Sequence, residues 1–339
     1  MTDQRTASPP ERTHRHRRAL VWAVGTLLVA ELFARLVAVA LPEPLSWANY
    51  EQQRKLHRLE EIVAAGECPQ AVVVGSSVAA AAVDAGVAGR HGLATYNASL
   101  AGGGVLVVPS WLREVVLPRS CDATVVIAVG PRDLNESSPE LGYLEDYLTS
   151  DGRLIEVGAA TWWQRARVQG RRWSALFALQ GPVSDVDATL DWLGGRGGEW
   201  EDRNDDLGTL QAFADETLPP PPRRVRNDRE VIFADYRLEG PRSDAVAEGI
   251  AATRAAGRRV ALVLLPYSEE TVDLVGGVEV LNRYEELMAQ VADTGGAVLV
   301  DLSGVVSNPE QFADNYHLNA SGADALSVAL AERLRAWAP

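Results

Sequence analysis

The 339-residue chain contains a single lysine, Lys55, together with two cysteines and five histidines. Two cysteines cannot build a four-cysteine zinc knot, and five histidines leave few combinations for any metal site. Beyond Leu41 there is no basic block, and that stretch carries 26 basic against 43 acidic residues. Binding to nucleic acid needs clustered positive charge to neutralise phosphates, so the composition argues against a nucleic-acid partner. A disordered or mucin-like chain is also excluded, because 47% of the residues are hydrophobic. The length suits one large domain or two modest ones with a sizeable core.

The formal charge of −14 conceals a division. Residues 1–18 hold Arg5, Arg12, Arg15, Arg17 and Arg18 against Asp3 and Glu11, a net of +3, whereas the residues after Leu41 carry −17. Between them, Ala19 to Leu41 is an apolar run of 23 residues ending at Pro42. As a helix it is about 35 Å long, enough to cross a hydrocarbon core of roughly 30 Å. It contains Glu31 and Arg35, four apart on one helix face, where they can pair. The basic flank predicts a cytoplasmic tail (1–18), a membrane anchor (19–41) and an extracytoplasmic body beginning with a neck (42–67). A cleaved signal peptide is the competing reading, since Ala38-Val39-Ala40 has the small-x-small form of a cleavage site, and the body would then be secreted. A buried helix of a soluble protein is the third.

Export changes how the cysteines read. Cys68 precedes the strand-like run Ala71 to Val74, and Cys121 precedes a second run, Ala123 to Val129. If those strands are parallel neighbours, both sulfurs lie at one sheet edge and can bridge in an oxidising compartment. Otherwise they are two unrelated thiols.

Along the chain, strands and helices alternate. In the neck Leu56, Leu59 and Ile62 are spaced for one helix face. A strand from Ala71 ends at Gly75, residues 78–90 suit a helix or loop, and Ala94 to Asn97 suits a short strand before the turn Ala101 to Gly104. Val105 to Val116 reads as a buried helix, followed by the strand that ends at Gly130. The pattern resumes with a helix near Ser243 to Ala256, a strand ending at Pro266, a helix over Val278 to Ala292, the strand AVLVDLS and a final helix from Ser321 to Trp337. Short runs that are apolar on both faces and separated by helices predict a parallel α/β sheet covered on both sides.

One stretch, Glu140 to Arg242, interrupts this alternation without a strand signal and is too long for an ordinary loop. It holds Trp162, Trp163, Trp173, Trp192 and Trp200, and the tetraproline Pro219 to Pro222. It reads as a helical insertion between 68–139 and 243–339, the two parts of one domain. Its tryptophans can line a ligand cleft, pack a small core or lie against headgroups.

The chemistry is concentrated at two places. Ser76 and Ser77 follow the first strand, at the carboxyl edge where open parallel sheets place their ligands. Near the C-terminus, Asp314 and His317 are three apart just before the last helix. In a turn that spacing sets the carboxylate beside one imidazole nitrogen and turns the other toward a nucleophile, the arrangement of a Ser-His-Asp site. The other histidines fit worse: His14 and His16 lie in the basic tail, His57 in the neck and His91 in a polar turn.

With these residues in view, the sequence resembles the SGNH (GDSL-like) hydrolase and esterase superfamily. The similarity is to its membrane-anchored or secreted branch, which includes the alginate O-acetylation proteins and the D-alanine transfer protein of teichoic acid modification. Gly75-Ser76-Ser77 resembles the first block, as GSS in place of GDS, which implies Ser77 as nucleophile. Tyr96 to Gly104 resembles the second block and implies Gly102 as a backbone donor to the oxyanion. Ile127 to Asp133 resembles the third block, GxND, but Arg132 stands where the family has asparagine; its guanidinium can join the Ser77 and Gly102 N–H groups at the oxyanion or hold an acidic substrate group, or else simply pair with Asp133 or another surface carboxylate. Asn135, two beyond Asp133, is the candidate to supply the missing amide as an accessory donor. Asp314 to Asn319 resembles the terminal DxxH block. The resemblance covers about Ala71 to Asp133 and Arg259 to Trp337. It implies a flavodoxin-like three-layer fold with five parallel strands in the order 2-1-3-4-5, which makes strands one and three neighbours as a Cys68–Cys121 disulfide requires.

The implied activity is that of a serine esterase or O-acyltransferase on acyl, chiefly acetyl, esters of an envelope or exported glycan. No cofactor or metal is needed. The expected partners are an acylated glycan or small acyl ester and a membrane-bound acyl-donor protein. The alternative is a catalytically degenerate member that binds glycan or serves as a scaffold, because losing one oxyanion donor can cost about 3 kcal/mol of transition-state stabilisation.

Overall fold

A computed structural model describes residues 9–40, 50–102, 104–138, 162, 166, 170, 173–179, 204–216 and 228–337. Its centre is a five-stranded parallel sheet. β1 (Ala71–Val74) lies between β2 (Thr95–Asn97) and β3 (Thr124–Val129), and β4 (Val260–Leu264) and β5 (Val298–Asp301) follow beyond β3, giving the order β2-β1-β3-β4-β5. β1, β3, β4 and β5 fall where the runs of valine, leucine and isoleucine place them, and β2, with the sequence TYN, falls within the short stretch Ala94 to Asn97. β-Branched side chains favour the pleated surface, and a strand covered on both faces tolerates apolar residues at successive positions.

Alternation along each strand divides the core into two layers. Val72, Val74, Val125, Ile127, Leu262 and Leu264 point to one side. There they meet the helices α2 (Tyr50–Ala64), α5 (Val108–Trp111), α7 (Pro241–Ala255) and α9 (Val278–Gly295). Ala71, Val73, Val126, Ala128, Ala261 and Val263 point to the other side. They meet α3 (Ser77–Ala82), α4 (Ala85–Arg90), α8 (Glu269–Val275) and α10 (Ala320–Trp337). The architecture is therefore a three-layer α/β fold of flavodoxin-like strand order.

Several local expectations are refined. Residues 78–90 form two short helices with Val83 and Asp84 between them, and the Asp84 carboxylate caps the second by accepting from the Val87 N–H at 2.8 Å. The helix expected over 105–116 is irregular: a 3₁₀ turn at Val105–Val107, α5, then a π-helical stretch at Leu112–Val116. α2 is no free neck, because Leu56, Leu59 and Ile62 are buried in the sheet's core.

The insertion is mixed in structure where it is described. A four-residue helix, α6 (Ala175–Ala178), is present, but 204–216 is a loop closed by an Asn204–Leu210 bridge. Phe233 and Leu238 pack into the two core layers, so the sheet domain takes in chain N-terminal to Ser243. Trp162 and Trp173 are exposed; Trp163, Trp192, Trp200 and Pro219 to Pro222 lie outside the described residues.

α1 (Pro9–Ala40) includes His16–Val39, a helix of mean hydropathy 1.9 that is long and apolar enough to cross a membrane. A signal sequence at this position would pass the same test.

Cys68 and Cys121 are joined as a disulfide across the amino-terminal ends of β1 and β3, with Cα atoms 6.0 Å apart. Parallel pairing of these strands sets Ala71 beside Thr124 and so brings the preceding residues together. A bridge closing a loop of 53 residues contributes up to about 4 kcal/mol in the chain-entropy treatment. Reduction, or Cys121→Ser, is therefore expected to lower the urea midpoint of unfolding; an unchanged midpoint would show that the bridge adds nothing.

Candidate active site

The first part of the site is the tight exit from β1. A Cβ on Gly75 would stand 2.5 Å from the Ala128 carbonyl oxygen and 2.6 Å from the Ala79 Cβ, so only glycine lets the chain turn here against β3. Ser76 caps α3: its Oγ accepts from the Val78 N–H at 3.1 Å and it is fully buried. Ser77 is the first helical residue, a position whose N–H the helix leaves without an intrahelical partner. The two adjacent serines thus separate by geometry into a cap and a residue that projects into the site.

The second part is the turn before α10. Phe312 and Leu318 form an antiparallel bridge, and the Ala313 N–H donates to the His317 carbonyl at 2.9 Å. Within this closed turn Asp314 Oδ1 accepts the N–H groups of Tyr316 and His317 at 3.0 and 2.7 Å, and Oδ2 lies 2.8 Å from His317 Nδ1. Burial opposes ionisation of Asp314, but the nearby imidazole and these hydrogen bonds more than offset it, holding the carboxyl below its usual range. The other ring nitrogen, Nε2, stands 3.0 Å from Ser77 Oγ, 240 residues away in sequence. All three side chains are at most 9% exposed.

Two aromatic rings flank the imidazole. Phe213, from the 204–216 loop, stacks on it at 3.9 Å between centroids with 14° between planes, and Tyr316 lies tilted at 4.5 Å. Over Tyr316, 5.1 Å from the ring centre, stands the guanidinium of Arg132, from the short turn that follows β3. The Asp133 carboxylate accepts the Gly130 N–H at 2.9 Å and fastens that turn. The structure therefore brings Arg132 to the neighbourhood of His317, on its Tyr316 side.

Gly102 has φ +79°, a conformation that favours glycine, in the turn after β2. The Leu100 N–H donates to the Gly75 carbonyl at 3.0 Å, tying this turn to the one that carries Ser77. Asn135 has a different task from the accessory donor expected of it. Its side-chain nitrogen donates to the Ile232 carbonyl at 2.7 Å, and its oxygen accepts the N–H groups of Ser137 and Arg237, so it straps the 228–237 segment to the sheet. Among the described residues there is no cluster of three or more His, Cys, Asp or Glu side chains suited to a metal ion.

Three contributors were not anticipated. Phe213 is one. Asn97 is the second: its side-chain nitrogen donates to the carbonyls of Ala79, Ala80 and Val83, pinning α3 to the end of β2. The third is the pair Glu51 and Lys55 on α2, both about 2% exposed and 3.6 Å apart. Lys55 Nζ donates to the carbonyls of Asn97, Ser99 and Gly208, and Glu51 accepts the Ala101 N–H at 2.9 Å. Burial pushes the lysine down and the glutamate up; three carbonyls at once are satisfied by a three-proton ammonium. One helix thus holds both the Gly102 turn and the loop that carries Phe213. The scarcity of lysine singled this residue out, but nothing in the neck's helical spacing signalled its burial.

No protein-family model matches the chain, and no curated protein sequence matches it. Among solved structures it is similar to a lipase/acylhydrolase from Enterococcus faecalis, at 12% identity and a TM-score of 0.41 over 79% of this chain and 96% of that one. It is likewise similar to a carbohydrate acetylesterase from Sinorhizobium meliloti, at 10% identity and a TM-score of 0.39 over 79% of this chain and all of that one. An aryl esterase from M. smegmatis aligns at 12% identity and a TM-score of 0.35, over 79% and 99% of the two chains.

Replacing Lys55 by methionine leaves three carbonyls and the Glu51 carboxylate buried without their cation. Breaking such a pair destabilises by about 3–5 kcal/mol. The double variant Glu51→Gln/Lys55→Met is expected to lose less than the sum of the single losses. Additive losses in chemical denaturation would show that the two side chains do not act as a unit.

Proposed function

We propose that the protein is a serine esterase or O-acyltransferase in which Ser77 is the nucleophile, His317 the general base and acid, and Asp314 the residue that orients the imidazole. One observation carries the reading: the continuous relay from Ser77 Oγ to His317 Nε2 at 3.0 Å and from Nδ1 to Asp314 at 2.8 Å, at the carboxyl edge of a parallel sheet.

Ser77 Oγ attacks an ester carbonyl as its proton passes to His317 Nε2. Asp314, held ionised, keeps the Nδ1 proton in place and stabilises the imidazolium. The negative charge on the former carbonyl oxygen is received by the N–H groups of Ser77 and Gly102, with Arg132 adding positive charge from the Tyr316 side. Collapse of the adduct breaks the ester bond, and the leaving alcohol takes the proton from Nε2. Water or a sugar hydroxyl then attacks the acyl-serine and gives its proton to His317; the second adduct collapses by breaking the acyl–Oγ bond, His317 returns the proton to Ser77 Oγ, and an acid or a new ester leaves. The same residues serve both outcomes.

Placement supports an envelope or exported glycan as acceptor. In this reading residues 1–18 stay on the cytoplasmic side, 19–41 anchor the chain, and the body works beyond the membrane, where the Cys68–Cys121 bridge is stable. A membrane-bound partner would supply an activated acyl group. The similarity to the alginate O-acetylation and D-alanine transfer proteins favours this setting.

The second reading is a glycan-binding component without turnover, and it rests on Arg132 occupying the position where the family has asparagine. The two part on one assay. Purified protein is expected to hydrolyse p-nitrophenyl acetate, and Ser77→Ala or His317→Ala is expected to lower kcat/KM by on the order of 10⁴ or more. Equal activity in the variants sinks the assignment; glycan binding without any turnover, unaffected by Ser77→Ala, supports the second reading.

A further inference from the structure

The apolar anchor helix carries a carboxylate at Glu31 that the proposed chemistry does not use. In the span His16–Val39, eight residues separate it from Val39, so at 1.5 Å per residue it lies about 12 Å inside the body-side end of that span. Half of a hydrocarbon core is about 15 Å, which puts Glu31 in the body-side leaflet. A charge at that depth is costly unless it is paired.

Its partners come from α1 itself and from the insertion. Arg35 Nε donates to Glu31 at 2.9 Å. Ser174 Oγ donates at 2.7 Å, and the N–H groups of Ala175 and Leu176 at 3.0 and 3.3 Å. Arg35 also donates to the Trp173 carbonyl at 3.2 Å. The carboxylate therefore satisfies the first turn of α6 from 143 residues away. The contact is broader than this clasp. On α1 the covered or half-covered positions include Ala30, Glu31, Ala34 and Ala38, while Leu27, Leu28, Val29, Leu32 and Phe33 are exposed. Small residues four apart let a second element approach an anchor helix closely.

The docked segment presents its own apolar surface outward. Trp173 is 74% exposed, and Leu176 and Phe177 are 41% and 46% exposed. Because α6 packs on α1, this surface adjoins the anchor helix, whose own flank is apolar and exposed. Trp173, whose carbonyl is held by Arg35 one helical turn nearer the body-side end than Glu31, offers this surface a large apolar ring.

We propose that the segment bearing Trp173 and α6 is a second membrane-contacting element, seated in the body-side leaflet against α1 and held there by Glu31. The occupant of the exposed surface is the lipid bilayer. This rests on reading α1 as a retained anchor: cleavage after Ala40 would remove Glu31 and leave α6 without its cap.

The test places an environment-sensitive fluorophore on single introduced cysteines in the full chain, reconstituted in phosphatidylcholine vesicles that contain spin-labelled phosphatidylcholine. Cys68 and Cys121 are bridged, so only the introduced thiol reacts. Val29→Cys reports the anchor, Phe177→Cys the insertion, and Glu332→Cys an exposed site on the body; Leu176→Cys serves as a second insertion reporter. Strong quenching is expected at 29, 176 and 177 but not at 332, with Glu31→Leu abolishing it at 176 and 177 only. Quenching at 29 while 176 and 177 behave like 332 overturns the proposal, as does quenching at 177 that survives Glu31→Leu. Absence of quenching at 29 instead overturns the anchor reading, and the proposal with it.

Discussion

Parallel pairing of β1 with β2 and β3 is the constraint on which the other features depend. It carries the three turns after these strands to one edge of the sheet, and so brings Ser77, Gly102 and Arg132 onto a common rim. The same pairing sets the amino-terminal ends together at the opposite edge, where Cys68 and Cys121 are bridged. Gly75 shows how closely the first turn passes its neighbour, since any side chain there meets the backbone of β3. The sheet is thus tied covalently at one edge and turns tightly at the other, and the proposed chemistry belongs to the tight edge.

His317 reaches that rim from the far end of the chain on a turn that is organised locally. The Asp314 carboxylate accepts two backbone N–H groups of its own turn as well as the imidazole, so the proposed base and its orienting residue arrive as one rigid unit. Asn319 extends it, accepting the Gly322 N–H at the start of α10 and donating to the carbonyls of Glu216 and Glu310. A general base must be held to within a few tenths of an ångström to act, and this arrangement relies on short-range bonds to do so. The walls are supplied differently. Phe213 and the Gly102 turn are both secured by the buried Glu51–Lys55 pair on α2, an element that follows the apolar helix α1 in the chain.

What could be read from sequence follows this difference. Four of the five strands were legible because a fully covered parallel strand is a short apolar run bounded by turn residues, and the runs Ala71 to Val74 and Ala123 to Val129 have that form without ambiguity of length. Asp314 and His317 were legible because their contact is three residues long and the turn contains it. The cap of α3 was hidden, since Ser76 and Ser77 are the same residue type and only the helix start tells them apart. Phe213, Lys55 and the reach of Glu31 to Ser174 were illegible for another reason: each of these contacts spans more than 40 residues, and no local pattern encodes it, whereas the Glu31–Arg35 pair, four residues apart, could be read. Asn135 shows the converse, a residue near the right turn whose amide donates to the Ile232 carbonyl across the fold.

The central claim is that Ser77, and not its neighbour Ser76, is the nucleophile. Treating the full-length protein with a fluorophosphonate and mapping the modified peptide by mass spectrometry tests this most directly. A single phosphonyl adduct on Ser77, lost when His317 is replaced by alanine, is the predicted result. An unmodified protein, an adduct on Ser76 or another serine, or labelling that persists without His317 would contradict the account.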